Sequence, residues 1–144
     1  MPIAQGQCTI FKYNLLSGLE NFTATTPYTY KIALYTALAN LNNQTLAYTT
    51  ENEVVGTGYT AGGQDLSNVT IQSTSNGIVY VSFDNVVWNP AQFTVRGALI
   101  YNSTKSNASV ATLDFGGDKT QAGNNTFTVT LPPDTASSAL IRIN

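Results

Sequence analysis

Histidine is absent from the 144 residues, cysteine occurs once, and only 10% of the side chains carry charge. With no imidazole to take a proton, nucleophilic catalysis of the serine or cysteine triad type is excluded. A single cysteine and no histidine leave no ordinary ligand set for a protein zinc site. Cys8 has no partner for an intrachain disulfide and reads as a small apolar residue near the start of a helix. The formal net charge of -2 comes without any lysine or arginine cluster, so neither nucleic acid nor an anionic membrane surface has an electrostatic footprint to meet. No apolar run approaches the roughly 20 residues of a membrane span. The first residues, Met1 to Gly6, hold neither a basic stretch nor an apolar signal core, and a product made in the cytoplasm is expected.

What the chain does have is threonine and asparagine, 21 and 15 residues, beside an ordinary hydrophobic fraction of 42%. Threonine suits half-buried strands and asparagine the turns between them, so polar uncharged β-structure takes the place of a charged surface. The length fits one domain with one core.

One helix is predicted, over Thr9–Phe22, where Phe11, Leu15, Leu19 and Phe22 recur at intervals of three or four and Thr9 can cap. Gly18 weakens it. It either covers an edge or end of a sheet or docks on a neighbouring subunit. From Tyr28 onward short strands punctuated by Gly, Asn and Pro are expected at Tyr30–Thr36, Leu66–Gln72, Ile78–Phe83, Phe93–Asn102, Ala108–Phe115, Thr126–Leu131 and Ala139–Ile143. Asn76-Gly77 predicts a type I′ hairpin turn joining the Leu66 and Ile78 strands as antiparallel neighbours. Pro90 should stop a strand, placing Trp88 at the start of a loop, as a cap on the core or as an exposed interface anchor. The long polar stretch from Leu38 to Gly63 reads as a functional loop or one ordered by a partner, with Gly58 and Gly62 chosen for positive φ.

Catalytic readings are thin. Asp84, Asp114 and Asp118 lie near strand ends where two carboxylates of a glycosidase could converge, and with Asn85 they could offer oxygen to calcium, yet Asp84-Asn85 and Gly116-Gly117-Asp118 are ordinary turn chemistry. Gly62-Gly63 and Gly116-Gly117 lack the following Lys-Ser/Thr of a phosphate cradle. Asn-x-Ser/Thr triplets begin at Asn21, Asn43, Asn68, Asn102, Asn107 and Asn124, as chance allows in so Asn- and Thr-rich a chain. Tyrosines on one exposed face could stack on a sugar, with Tyr35, Tyr48 and Tyr59 the foremost, although tyrosine is also simply favoured in strands.

Several blocks occur in a telling order. Phe11-Lys12-x-x-Leu15-Leu16-x-Gly18 is followed by Lys31-Ile32-Ala33-Leu34-Tyr35-Thr36 and then by Glu53-Val54-x-Gly56-Thr57-Gly58-Tyr59-Thr60-Ala61-Gly62-Gly63. Phe83-Asp84-x-Val86-x-Trp88, Arg96-Gly97-Ala98-Leu99-Ile100-Tyr101-Asn102 and Leu113-Asp114-Phe115-Gly116-Gly117-Asp118-Lys119 complete the series. Over roughly residues 11–131 this resembles a widespread group of small bacteriophage virion structural proteins. Leu19-Glu20-Asn21 departs from the acidic or histidine residue that the group places just after the helix glycine. The resemblance brings no catalytic residues, and it implies a virion subunit made in the host cytoplasm that contacts the major capsid protein or other virion subunits and forms a trimer or ring.

The expectation is therefore an all-β antiparallel sandwich, jelly-roll or Ig-like, with one short N-terminal helix. Residues 1–8 form an arm and 9–144 a single domain that includes the helix. A non-enzymatic capsid decoration or cement protein comes first, a tail, neck or fibre-associated protein second, and a host-glycan-binding module third. No cofactor or metal is expected. Residues expected to face a neighbouring subunit are Ile3 in the arm, Phe11 and Leu15 on the helix, Tyr59 in the long loop, and Trp88.

Overall fold

A computed structural model describes residues 3–131 and 139–143. The N-terminal arm lies on the chain's own body. Its strand β1 (Gly6–Gln7) pairs with Thr112 and Ala111, and Ile3 is buried over Gly97, where a side chain would collide with it. Helix α1 covers Thr9–Leu16, with Cys8 rather than Thr9 at the N-cap position. It is shorter than its periodicity predicts because Gly18, at φ 76°, turns the chain left-handed. The Leu19 and Gly18 amides bond back to the Asn14 and Leu15 carbonyls at 2.8 and 3.3 Å, the pairing that closes a helix at a glycine. Phe11 is buried on α1, whereas Leu16 is 90% exposed. Beyond the helix Phe22 returns to the core, stacked on Tyr30 at 4.4 Å.

The remaining strands are β2 (Tyr30–Tyr35), β3 (Gln64–Asp65), β4 (Thr70–Ser73), β5 (Val79–Ser82), β6 (Val86–Asn102), β7 (Ala108–Val129) and β8 (Ile141–Ile143). They form two antiparallel sheets, one ordered β1-β7-β6-β2-β3 and one ordered β4-β5-β8, an all-β sandwich as expected. β4 and β5 are antiparallel neighbours through Asn76-Gly77, but the turn is not type I′. Only Gly77 has positive φ, at 81°, and its amide bonds the Thr74 carbonyl while the Thr74 amide bonds the Ile78 carbonyl. This is the three-residue loop, a type I turn closed by a left-handed glycine, which needs no strained asparagine.

β6 and β7 correct two further expectations. β6 runs through Pro90, because a register shift between Trp88 and Ala91, at the cis Asn89-Pro90 bond, takes the donorless proline out of the ladder. Trp88 thus lies within a strand, 2% exposed, among Tyr59 and Phe127. β7 is one strand where two were predicted. Gly116-Gly117 and Gly123-Asn124 sit in bulges: Val95 to Gly97 faces Lys119 to Asp114, and Ala91 to Phe93 faces Asn125 to Gln121.

Alternation along β2 places Tyr30, Ile32 and Leu34 in the core between the sheets and Ala33 and Tyr35 on the opposite face. That opposite face is covered too. Ile3, Ala39 and Leu41 bury it together with Leu99 and Tyr101, and Tyr48 packs on their rim. The arm and the segment after β2 therefore form an outer layer on the larger sheet.

Candidate functional site

The segment 36–63 joins β2 to β3 and is drawn onto the sheet by short bridges, Tyr35 to Glu53 and Thr57 to Gln92. The Val54 amide continues this pairing to the Leu34 carbonyl at 2.9 Å. At its centre is Glu53, 7% exposed and, among the described residues, facing no cation in hydrogen-bond range. Its Oε1 accepts the Tyr59 hydroxyl at 2.6 Å and the Gly62 amide at 2.7 Å, and its Oε2 accepts the Tyr48 hydroxyl at 2.7 Å. Tyr59 Oη also accepts the Leu34 amide at 2.8 Å, Tyr101 donates to the Gly62 carbonyl at 2.8 Å, and Tyr35 donates to the Thr49 carbonyl at 2.6 Å. A buried carboxylate is tolerable only when its lone pairs are filled, and neutral donors fill them here. Four tyrosines and one glutamate thus tie the long loop to β2 and β6.

Burial raises all four phenols, and the Glu53 charge adds to the effect. Tyr101 is pushed up to about 12, and Tyr35, Tyr48 and Tyr59 go higher. A group whose folded pKa is raised contributes stability that is fully present below its ordinary value and is lost as pH rises through the folded value. The fold should therefore hold up to the ordinary tyrosine range near about 10. It should come apart as pH climbs through about 12, with tyrosinate absorbance and loss of β-sheet circular dichroism rising in one transition. Phenols ionising with the sheet signal intact would contradict the buried arrangement.

A second internal carboxylate, Glu20, lies just beyond α1. Its Oε1 accepts the Tyr30 hydroxyl and the Asn102 side-chain amide, both at 2.9 Å, while its Oε2 is buried without a partner. Burial holds this carboxyl above the usual range. Asn102 in turn accepts the Thr104 and Lys105 amides, so the pair braces the turn between β6 and β7. Cys8 is buried, which pushes its thiol up to about 11.

The aspartates are not gathered. Asp84 is bonded by Ser67 and Asn68, Asp114 pairs with Arg96 at 3.0 Å, and Asp118 lies exposed in a bulge. Among the described residues no group of three or more His, Cys, Asp or Glu could hold a metal ion, and no helix is long and apolar enough to cross a membrane.

Of the residues expected to face a neighbour, Ile3, Phe11 and Trp88 are buried within the chain, and Leu15 and Tyr59 are half-buried against the core. The expected sugar-facing row does not form. Tyr35 is wholly buried under the outer layer, and the hydroxyls of Tyr48 and Tyr59 are spent on Glu53. Gly58 and Gly62 do have positive φ, 87° and 95°. Sequence reasoning assigned no role to Glu53 or Glu20, each of which has one apolar and one asparagine neighbour (Asn52-Glu53-Val54 and Leu19-Glu20-Asn21) and so carries no local signal of burial.

Leu38, Leu46 and Val55 are exposed on the 36–63 segment itself, and a further group of exposed apolar side chains gathers at the smaller sheet. Ile71, Val79 and Ile143 line a groove of about 120 Å³ with Leu15, Phe22 and Ile141, and Leu16 and Leu19 are exposed at the same end of α1. On β4, β5 and β8 these residues share the face that carries Val81 and Ile141 into the core, so the core surface runs out into solvent here. Comparison of the chain with protein-family models, with curated proteins and with solved structures finds no match.

Proposed function

We propose that this protein is a non-enzymatic structural subunit of a bacteriophage virion, a decoration or cement protein that stabilises the capsid shell. The observation that carries the reading is the division of labour between interior and surface. Glu53, Glu20 and their tyrosines are turned to internal hydrogen bonds, while Leu16, Ile71, Val79 and Ile143 stand exposed at one end. An apolar patch on a surface poor in charge and rich in threonine and asparagine suits a permanent contact with a neighbouring subunit. Low charge spares many copies mutual repulsion on a particle. The resemblance of the ordered sequence blocks to small phage structural proteins supplies the virion context of this reading.

The test is to mix the purified protein with capsids that lack it and to follow binding and shell melting. Binding that raises the melting temperature, and its loss in a Leu16→Asp, Ile71→Asp double variant of unchanged circular dichroism, is the expected result. A protein that ignores the shell and assembles into rings would overturn the cement role in favour of a tail or neck subunit.

A further inference from the structure

The hairpin tip between β4 and β5 carries chemistry that the assembly reading does not use. We propose that Asn76-Gly77 is a built-in site of spontaneous backbone modification, in which Asn76 deamidates to aspartate and isoaspartate. The reaction needs a free asparagine amide followed by a residue without a side chain, and is favoured at an exposed loop tip. Each of these conditions is met at this position.

Most asparagines of the chain are protected. Asn102, for example, has both ends of its amide engaged, with Glu20 and with the Thr104 and Lys105 amides. Asn14, Asn76, Asn89, Asn107 and Asn124 are the described asparagines whose side chains enter no hydrogen bond. Asn14 precedes Leu15 inside α1, Asn89 precedes a proline with no amide hydrogen, and Asn107 and Asn124 precede residues with side chains. Asn76 alone precedes glycine. Ser75, Asn76 and Gly77 are all exposed, which leaves room for a ring to close, and nothing lies within 4 Å of where a Gly77 side chain would begin. The brake is a single hydrogen bond from the Gly77 amide to the Thr74 carbonyl, long at 3.2 Å.

The Gly77 nitrogen attacks Asn76 Cγ. The new C–N bond closes a succinimide, the Cγ–Nδ2 bond breaks, and the amide nitrogen leaves as ammonia with the Gly77 proton. Water then opens either imide carbonyl, giving aspartate or isoaspartate. Both products add one negative charge to a chain of formal net charge -2, and the second also lengthens the backbone by a methylene at the tip.

The intact protein is held at mildly alkaline pH and body temperature, sampled over time, digested and weighed. The expected result is a gain of about 1 Da, the difference between amide and acid, in the peptide containing Asn76 before any other asparagine changes. That peptide should split into aspartate and isoaspartate forms, and the earliest acidic species on isoelectric focusing should vanish in Asn76→Gln. Conversion of another asparagine first, or no acidic species while unfolded protein converts readily at Asn76, would overturn the proposal.

Discussion

Glu53→Ala should cost about 4 kcal/mol of stability, a large share of the roughly 5–15 kcal/mol that holds a domain of this kind together. The loss is not one contact. Removing the carboxylate strands the Tyr48 and Tyr59 hydroxyls and the Gly62 amide at once, around a position that is 7% exposed. Hydrogen bonds to a charged group are worth about 1.5–3 kcal/mol, and an orphaned buried donor costs about 1–3 kcal/mol. Glu53→Gln should be much milder. Its oxygen can still serve Tyr59 and Gly62, and the Tyr48 hydroxyl can rotate to accept from the new NH2 group. Tyr59→Phe should cost more than Tyr48→Phe, because only Tyr59 also satisfies the Leu34 amide. Urea melts of the four variants check the order, and a Glu53→Ala midpoint equal to that of Glu53→Gln would reject this account of the loop.

Gly63→Ala should be as damaging, by about 3 kcal/mol or more, although Gly62→Ala beside it should cost only about 1 kcal/mol. Both glycines have positive φ, 77° and 95°. The difference is room. A Cβ on Gly63 would land inside the Ile32 carbonyl oxygen, part of the rigid β2 backbone, whereas one on Gly62 meets its nearest atom, Tyr101 Oη, at 3.5 Å. Gly58 belongs with Gly63, since its Cβ would strike the Pro90 carbonyl. Thermal melts of the two alanine variants, read side by side, separate collision from simple backbone strain. Equal losses would show that strain alone decides.

The contrast explains how much of this molecule its sequence discloses. Strand β2 was legible because period-two alternation and β-branched or aromatic side chains agree there, and the β4–β5 pairing was legible through Asn-Gly. The continuity of β7 was not. Gly116-Gly117 and Gly123-Asn124 are the residues that turns use, and bulges draw on the same left-handed conformations, so local chemistry cannot tell a bend within a strand from its end. The glutamate at the centre of the outer layer was hidden for another reason. Glu53 reads as a solvated loop residue until Tyr48, Tyr59 and the Gly62 amide are folded around it, and the supporting Tyr101 comes from a strand far along the chain. Tyrosines counted as surface platforms became internal donors because the loop that carries two of them lies flat on the sheet.

The glycine-containing bulges in β7 also bear on what happens when many copies crowd together. Beyond Thr112, where β1 ends its pairing, the outer edge of β7 has no strand beside it among the described residues. A long open edge rich in threonine invites a second chain to add on and seed cross-β aggregates. Val95 and Gly97, two positions apart, face Lys119 and Asp114, five apart, and a second offset follows at Gln121–Asn125, so the ribbon is too irregular for an incoming strand to stay in step. The glycines that obscured the strand in the sequence thus serve as guards against fibrillation.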